Sequence, residues 1–568
     1  MKNTDKKIVT KKTSKDKLRI IPLGGMEEVG RNMMVFEYNE DIIIVDMGLQ
    51  FPEEDMHGID YIIPNTAYLK DKRENIKGVI ITHGHYDHIG AIPHSMGRLG
   101  NPSIYTAPLT RGMIIKRQED FPHAPKLDIN DVKIDDKLKL GCFEVEFFHV
   151  NHNIPDSMGV VIHTPVGTIV HTGDFKIDRN PINEKPIDLG KITKLGKDGV
   201  LMLLADSTDA ETPGHSLSES EIQQNLEEII NNIDGRIIVA TFASLLTRAQ
   251  EVITLAERAG RKVAVDGYSM RTNVEIAKEL GYLKVKKGTL IKPQEANDLP
   301  DKEVLILCTG AQGEGNAVLM RLANDQHKFL KMHPTDTIIF SSSVVPGNER
   351  SVQNLRDVLC RKGAKVVHYK MMDVHAGGHA PSEDLKIIHN LLKPKYFMPI
   401  EGNYYMLKIH SELAQESGIK PENIVIPNNG QVVLVDKKEI KSTKEQVPAN
   451  YVMVDGLGVG DVGQVVLRDR QTMAQDGMFV IIALIDSKTG LVYGEPDIIS
   501  RGFVYLRESQ DLLTETRRRI KDIVARTTSS EHTVNWNYVK DNIRDKIGKF
   551  LYTQTKRRPM VLPVVIEI

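Results

Sequence analysis

Residues 78–88 read Gly-Val-Ile-Ile-Thr-His-Gly-His-Tyr-Asp-His, an apolar run that stops where three histidines and an aspartate crowd into six positions. Gly78–Thr82 has the length and β-branched content of a short buried strand. Any fold that accepts it must bring that strand end to a place where imidazoles and a carboxylate converge. His83 and His85, two residues apart, can reach one ion, while Asp87 and His88 face a second. Zinc takes about four nitrogen or oxygen ligands at roughly 2.0–2.2 Å, and such clustering supplies them within one turn. Two more candidates stand at strand ends: His152, after the apolar run Phe143–Phe148, and Asp174, which closes Thr-Ile-Val-His-Thr-Gly-Asp. A carboxylate at Asp174 can bridge two cations, one per oxygen. Asp46, delivered by the run Asp41–Val45, is better placed to orient a histidine from behind. A solvated histidine-rich loop is the bland alternative, and His152 or Asp174 alone would be structural. Their combination points to a binuclear metal centre.

A chain of 568 residues is too long for one hydrophobic core and predicts roughly three to four domains. The longest apolar runs, such as Phe479–Ile485, fall far short of the ~20 residues that cross a bilayer, and the N-terminal lysines lack the apolar segment of a signal peptide. No membrane association is expected. Cys142, Cys308 and Cys360 form neither a disulfide framework nor a thiolate metal site, which suits a reducing cytoplasm. A net charge of −2 gives no overall attraction for a polyanion, so a nucleic-acid partner would need a local groove or bound cations.

Residues 1–17 read as a basic, disordered tail. Strand-like runs follow at Leu18–Leu23, Met33–Tyr38 and Asp41–Val45, and recur with Gly, Pro and Asn punctuation to about residue 205. From about 215 the rhythm changes. Ser218-x-x-Glu221 has the spacing of a capping box, and Ile222, Leu226, Ile229, Ile230 and Ile233 then share a helical face. Strands at Arg236–Thr241, Lys262–Val265, Val304–Cys308, Thr337–Phe340 and Ala364–His368 alternate with helices such as Arg248–Ala259 and Ser351–Arg361. That alternation predicts a parallel sheet covered on both faces. Strand character returns at Tyr396–Ile400 and Gln431–Val435. The polar, lysine-rich stretch Lys437–Asn450 reads as a linker to a last unit with a helix near Asp511–Ala525 and a final strand, Met560–Ile568.

The series H-x-H-x-D-H, a later His152 and Asp174 after Thr-Gly resembles that of the metallo-β-lactamase fold. Asp206 in Ala-Asp-Ser-Thr and His375-Ala-Gly-Gly-His379 narrow the resemblance to β-CASP nucleases. Leu23-Gly-Gly, Phe51-Pro-Glu, Gly58–Pro64, Ala240-Thr-Phe-Ala-Ser244, Ser341–Ser343, Ser500–Val504 and the ending Thr555-Lys-Arg-Arg-Pro are similar to the bacterial ribonuclease J family, from about residue 18 onward. The resemblance implies an α/β architecture: a metallo-β-lactamase αββα sandwich (18–214 and 376–436), an inserted β-CASP α/β domain (215–375), a linker (437–450) and a C-terminal α+β oligomerisation domain (451–568).

It also implies a metal-dependent ribonuclease with 5′-to-3′ exonuclease and endonuclease activity on single-stranded RNA, preferring 5′-monophosphate ends, in RNA maturation and mRNA decay. Two Zn²⁺ per subunit are expected, with Mn²⁺ or Mg²⁺ supporting activity. His83, His85 and His152 would hold one ion, Asp87 and His88 the other, and Asp174 would bridge them. Asp87, His375 and His379 are the expected catalytic residues, either histidine serving as proton donor to the leaving 3′ oxygen. His375, Ala376, Gly377, Gly378 and His379 would line the phosphate path, with Phe242, Ala243, Ser244 and Ser341, Ser342, Ser343 facing the RNA. A homodimer, a homotetramer or a hetero-oligomer with a paralogue is expected.

Two positions depart from the family. It commonly has Pro-x-His-Gly-Glu where this chain has Pro399-Ile400-Glu401-Gly402-Asn403, and that histidine is a ligand of the second zinc. Glu401 can coordinate through oxygen instead, with a changed affinity or metal preference at that position. Gly377 stands where the family usually has a serine, which removes one hydroxyl donor. These departures support an alternative, a weakly active or inactive RNA-binding paralogue that tunes an active subunit. A small-molecule metallohydrolase of thioesterase type would share 83–88 but would have no use for the 215–375 insertion.

Overall fold

In the computed structural model of the chain, residues 16–568 are described, apart from 54, 346, 506–507 and 529–533. The expected basic tail lies outside the described residues except for its last two. The chain divides into two compact units, Met1–Gln50 with Ile63–Val452 and Phe51–Ile62 with Met453–Ile568.

In the first unit two sheets share one core. The eight-stranded sheet runs in the order Ile440–Gln446, Gln431–Val435, Leu18–Gly24, Met33–Tyr38, Asp41–Val45, Ile76–Ile80, Ile104–Thr106 and Ile129–Asp131. The six-stranded sheet runs Tyr396–Ile400, Met202–Asp206, Gly167–His171, Met158–Thr164, Phe143–His149 and Lys137–Leu140. Side chains alternate across each strand, so apolar runs feed two layers at once. Met202 and Leu204 enter the core between the sheets, while Leu203 and Ala205 pack with the helices Leu189–Asp198, Ser382–Leu392 and Tyr404–Glu416 on the outer face. This is the αββα sandwich.

The inserted domain occupies one connection. Met202–Asp206 and Tyr396–Ile400 are adjacent and parallel, with Leu204 opposite Met398, so the chain between them is a single long crossover. Within it lies an all-parallel sheet, ordered Leu290–Ile291, Lys262–Asp266, Val304–Cys308, Ile237–Ala240, Thr337–Phe340 and Lys365–His368. Its first helix, Glu219–Asn231, has Ser218 as N-cap, but the partner is not the expected Glu221. Asp178 takes that role, accepting the Glu219 amide at 2.9 Å and the Ser218 hydroxyl at 2.7 Å. A residue brought from the other domain has replaced a local capping box.

Two expectations of domain organisation change. Lys437–Asn450 is not simply a linker, because Ile440–Gln446 pairs antiparallel with Gln431–Val435 as an edge strand. Charged, outward-facing residues such as Lys441, Lys444 and Glu445 protect an edge and make it read as a loop. Phe51–Ile62 groups with the second unit: the Asp60 amide donates to Val454 O at 2.9 Å, and Arg470 Nη1 to His57 O at 3.1 Å.

The second unit builds its core from a three-stranded sheet, in which Met478–Ile485 lies between Asp497–Arg501 and Met560–Glu567, and the helices Gln510–Thr527 and Trp536–Thr555. Phe479, Ile481, Ala483 and Ile485 face Ile520, Val524, Ile543 and Ile547. The opposite face carries Val480, Ile482 and Leu484 beside Leu562, Val564 and Ile566, half-buried or exposed.

Candidate metal centre

Strand ends of both sheets of the first unit deliver the site. Asp46 follows Asp41–Val45, His83–His88 follow Ile76–Ile80, His152 follows Phe143–His149, Asp174 follows Gly167–His171, Asp206 ends its strand, and Glu401 follows Tyr396–Ile400. Asp46 and Glu401 have positive φ, +62° and +51°, in the left-handed region that L side chains seldom adopt. Such conformations persist where surrounding contacts over-determine them, and they concentrate at functional sites. Here Glu401 N donates to Gly25 O and Ser207 N to Glu401 O, holding the residue from both sides.

Among the described residues, ligand atoms gather within 4.8 Å in two groups of four, His83, His85, His152 and Asp174, and Asp87, His88, Asp174 and Glu401, and in a group of Asp174, Asp206 and His379. Asp174 belongs to all three. In the first group His85 Nδ1 lies 3.1 Å from both His83 Nε2 and His152 Nε2, and Asp174 Oδ2 is 3.6 and 3.7 Å from those two Nε2 atoms. In the second, His88 Nε2 is 3.2 Å from Asp174 Oδ1, 3.6 Å from Glu401 Oε2 and 3.8 Å from Asp87 Oδ2. Four ligands at roughly 2.0–2.2 Å around one ion stand about 3.3–3.6 Å apart, so these spacings fit. In buried Asp174, Oδ2 has no hydrogen-bond donor and Oδ1 faces only His88 Nε2 at 3.2 Å, a costly arrangement that a cation on each oxygen would resolve. The donor set therefore fits two divalent ions.

Hydrogen bonds behind the ligands set their tautomers. His152 Nδ1 donates to Gly378 O at 2.6 Å, and His88 Nδ1 to Asp46 Oδ2 at 2.8 Å, which leaves both Nε2 lone pairs facing the centre. Asp46 also accepts from the Thr82 amide at 2.8 Å, and Thr82 Oγ1 lies 3.0 Å from His83 Nδ1. Asp46 thus bonds His88 directly and reaches His83 through Thr82.

Electrostatics divide the same way. Burial and neighbouring imidazoles hold His83 and His152 well below the ordinary histidine range, and His85 at about 3, so all three are neutral and ready to ligate. Burial also disfavours charge on His88, but Asp174, Glu401, Asp46 and Asp87 outweigh it and raise it well above that range. Burial and the Glu401 charge raise Asp174. Without cations the second group thus keeps a proton that metal binding would displace.

His379 adjoins both groups. Its Nδ1 donates to Asp206 Oδ2 at 2.7 Å, and its ring centroid is 5.1 Å from that of His152. Burial opposes its charge, but Asp206 raises it well above the ordinary range. His375 lies elsewhere. It is buried beside Arg248, and burial with that guanidinium lowers it to about 3, which leaves no proton to give at neutral pH. The structure thus separates the two histidines expected to be alternative proton donors.

The other expected RNA contacts divide as well. Ser341 and Ser342 are buried, and the Ser341 hydroxyl is spent on Arg248 and Val374 O, while Ser343 is exposed and Phe242, Ala243 and Ser244 are half-buried. Ala376 is buried. A Cβ on Gly378 would meet His152 Cε1 at 2.7 Å, so the close approach requires glycine. A Cβ on Gly377 would meet Asp209 Oδ2 at 3.1 Å, a carboxylate beside the position where the family places a hydroxyl. Sequence reasoning missed Asn32, whose Nδ2 donates to Glu401 Oε1 at 2.8 Å and lies 3.2 Å from His88 Nε2. No local spacing marks it, since its partners are 56 and 369 residues away.

Comparisons with known proteins agree. Family models match residues 26–228 (metallo-beta-lactamase superfamily), 234–359 (ribonuclease J, beta-CASP domain) and 465–568 (ribonuclease J C-terminal domain). The chain is 38% identical to ribonuclease J2 of Bacillus subtilis strain 168, over 98% of this chain and all of the relative. It is 42% identical to ribonuclease J 1 of Streptococcus pyogenes serotype M3, over 96% of this chain and 97% of the relative. A crystal structure of a protein of unknown function from Enterococcus faecalis V583 shares the fold, at 16% identity and a TM-score of 0.54, over 74% of this chain and all of that one. With relatives this similar along nearly their whole length, and family models over 26–228, 234–359 and 465–568, the chain belongs to the ribonuclease J family.

Proposed function

We propose that this chain is a ribonuclease that hydrolyses phosphodiester bonds of single-stranded RNA, in the 5′-to-3′ direction from 5′-monophosphorylated ends and at internal sites, in RNA maturation and mRNA decay. One observation carries the reading: in a member of the ribonuclease J family, seven ligand residues converge as two groups sharing Asp174, with His379 adjoining them. Two Zn²⁺ ions are the proposed occupants, held by His83, His85 and His152 and by Asp87, His88 and Glu401, with Asp174 between, and Mn²⁺ or Mg²⁺ supporting activity. Such ions, when bound, neutralise phosphate charge and make water acidic enough to attack at neutral pH.

The chain's own residues do the rest. Asp46, Thr82 and Gly378 O fix the ligand tautomers. Water adds to phosphorus in line as the bond to the 3′ oxygen breaks. His379, protonated through its bond to Asp206, gives a proton from Nε2 to that oxygen. Asp87, the least buried carboxylate of the cluster, takes the proton that the water loses. The products are a 5′-phosphate and a 3′-hydroxyl. Gly377 and Ser343 remain open to RNA; Gly378, His375, Ser341 and Ser342 are buried and are proposed to shape the wall instead.

The apolar sheet face of the second unit, Val480, Ile482, Leu484, Leu562, Val564 and Ile566, supports self-association as a dimer or tetramer. The three free cysteines suit a cytoplasmic protein.

The test is 5′-monophosphorylated, 5′-labelled RNA incubated with the purified protein and Mn²⁺, Mg²⁺ or Zn²⁺. Release of labelled mononucleotide, abolished by His85→Ala and by chelation, is the expected result. Tight RNA binding without cleavage in any metal, or products with 3′-phosphates, would overturn the mechanism.

A further inference from the structure

Behind the metal centre lies a buried chain of charged groups that the reaction does not use. Lys176, two residues after Asp174, donates from Nζ to Glu219 Oε1 at 2.7 Å. The other oxygen of Glu219 accepts from Arg248 Nη2. Arg248 Nη1 donates to the Val374 carbonyl at 2.7 Å and to the Ser341 hydroxyl at 2.7 Å. Ser341 passes its own hydrogen to that same carbonyl, also at 2.7 Å. Lys176, Arg248 and Ser341 are fully buried and Glu219 is 3% exposed.

Apolar side chains would join the two domains at a smaller desolvation cost, since buried ion pairs seldom repay the water they lose. The ends of the chain explain its placement. It begins two residues past Asp174, which the two ligand groups share, and ends five residues before His379. Between Lys365–His368 and Ser382–Leu392 the backbone forms no helix or strand and its own hydrogen bonds cluster at 368–374, so side-chain tethers help to set its path. Two of them meet on one atom, Val374 O.

We infer that Arg248 is a positioning residue: by gripping Val374 O together with Ser341, and Lys176 through Glu219, it sets the His375–His379 loop and thereby the reach of His379 toward Asp174. The inference rests on the ribonuclease reading, with His379 as proton donor. A guanidinium suits this role because its planar fork engages a carboxylate and a carbonyl from two different nitrogens in a fixed geometry, whereas a lysine offers one nitrogen on a flexible stem.

The test uses the full-length protein, with Arg248→Met, Arg248→Lys, Ser341→Ala and the Arg248→Met/Ser341→Ala pair. Misplacing a reacting group by about 1 Å costs on the order of a hundredfold. Arg248→Met is expected to lower kcat by about 10- to 100-fold, with KM within about threefold and both metals retained. Ser341→Ala should cost about 3- to 10-fold. The double variant should be no slower than Arg248→Met, because both residues act through one carbonyl. Arg248→Lys should fall between. In metal-free protein, amide exchange over 372–381 should quicken in Arg248→Met while the strand Met202–Asp206 stays protected. Unchanged kcat and exchange would overturn the inference, as would losses that track metal content or are additive in the pair. If Arg248→Met does not fold, Ser341→Ala decides: wild-type kcat and exchange in that variant overturn it. If the wild-type protein cleaves no RNA, the ribonuclease reading has failed, and the exchange measurement still tests the tether.

Discussion

The two ligand groups share a carboxylate and little else. The first is three neutral imidazoles, held low by burial and by neighbouring imidazoles that include His88 and His379, around one oxygen of Asp174. The second sets one imidazole among Asp87, Glu401 and the other oxygen of Asp174, and that crowding raises His88 and Asp174 together. Imidazole favours zinc, whereas carboxylate oxygens also suit harder ions such as Mn²⁺ and Mg²⁺. The donor sets thus differ in kind, nitrogen-rich in the first group and oxygen-rich in the second, with Glu401 adding to the difference.

Removing a nitrogen from the first group should break the asymmetry most severely. His83→Ala or His85→Ala is expected to lose an ion, measured by metal analysis, and at least about a thousandfold in RNA cleavage, because several kcal/mol of transition-state stabilisation goes with it. Asp46→Asn comes next. It weakens the acceptor that orients His88, and should lower affinity mainly at the second position, by about 10- to 100-fold in a competition titration. Glu401→His makes the groups more alike. Its metal preference should move toward zinc by roughly tenfold, and an unchanged titration would remove Glu401 from the second position.

The smallest effect concerns the two glutamates flanking Arg248. Burial opposes charge on both, but Arg248 and Lys176 bring Glu219 down to about 2, while burial dominates at Glu251 and raises it to about 8. Glu219 therefore contributes stability above its unfolded pKa of about 4.5, lost as pH falls toward 2. Glu251 works in the opposite sense: its contribution is complete below about 4.5 and disappears as pH rises through 8. The melting temperature of Glu251→Gln relative to wild type should rise between pH 5 and pH 8 and level off above. A difference independent of pH would show that Glu251 is ionised throughout.

Much of the architecture was legible because it depends on local pattern. Val304–Cys308, Thr337–Phe340, Tyr396–Ile400 and Gln431–Val435 coincide with the observed strands, since apolar runs bounded by polar breaks leave little choice. His83–His88, His152 and Asp174 were legible for a related reason: each ends such a run. What escaped depends on distant partners. Asn32 has value only beside His88 and Glu401, the charged edge strand Ile440–Gln446 imitates a linker, and Ser341 resembles a substrate contact until Arg248 is seen to occupy it. Likewise His375 and His379 look equivalent four residues apart, yet one faces a guanidinium and the other a carboxylate.

The bond from His152 Nδ1 to Gly378 O joins a candidate metal ligand to the loop proposed to contact RNA. Any displacement of that loop by an incoming strand must alter the basicity of His152, and with it the grip on the first ion. Thermodynamic reciprocity then requires the converse: metal occupancy changes RNA affinity by the same factor. Such an enzyme would read the metal supply of its surroundings as a change in how tightly it holds its substrate, before any bond is broken.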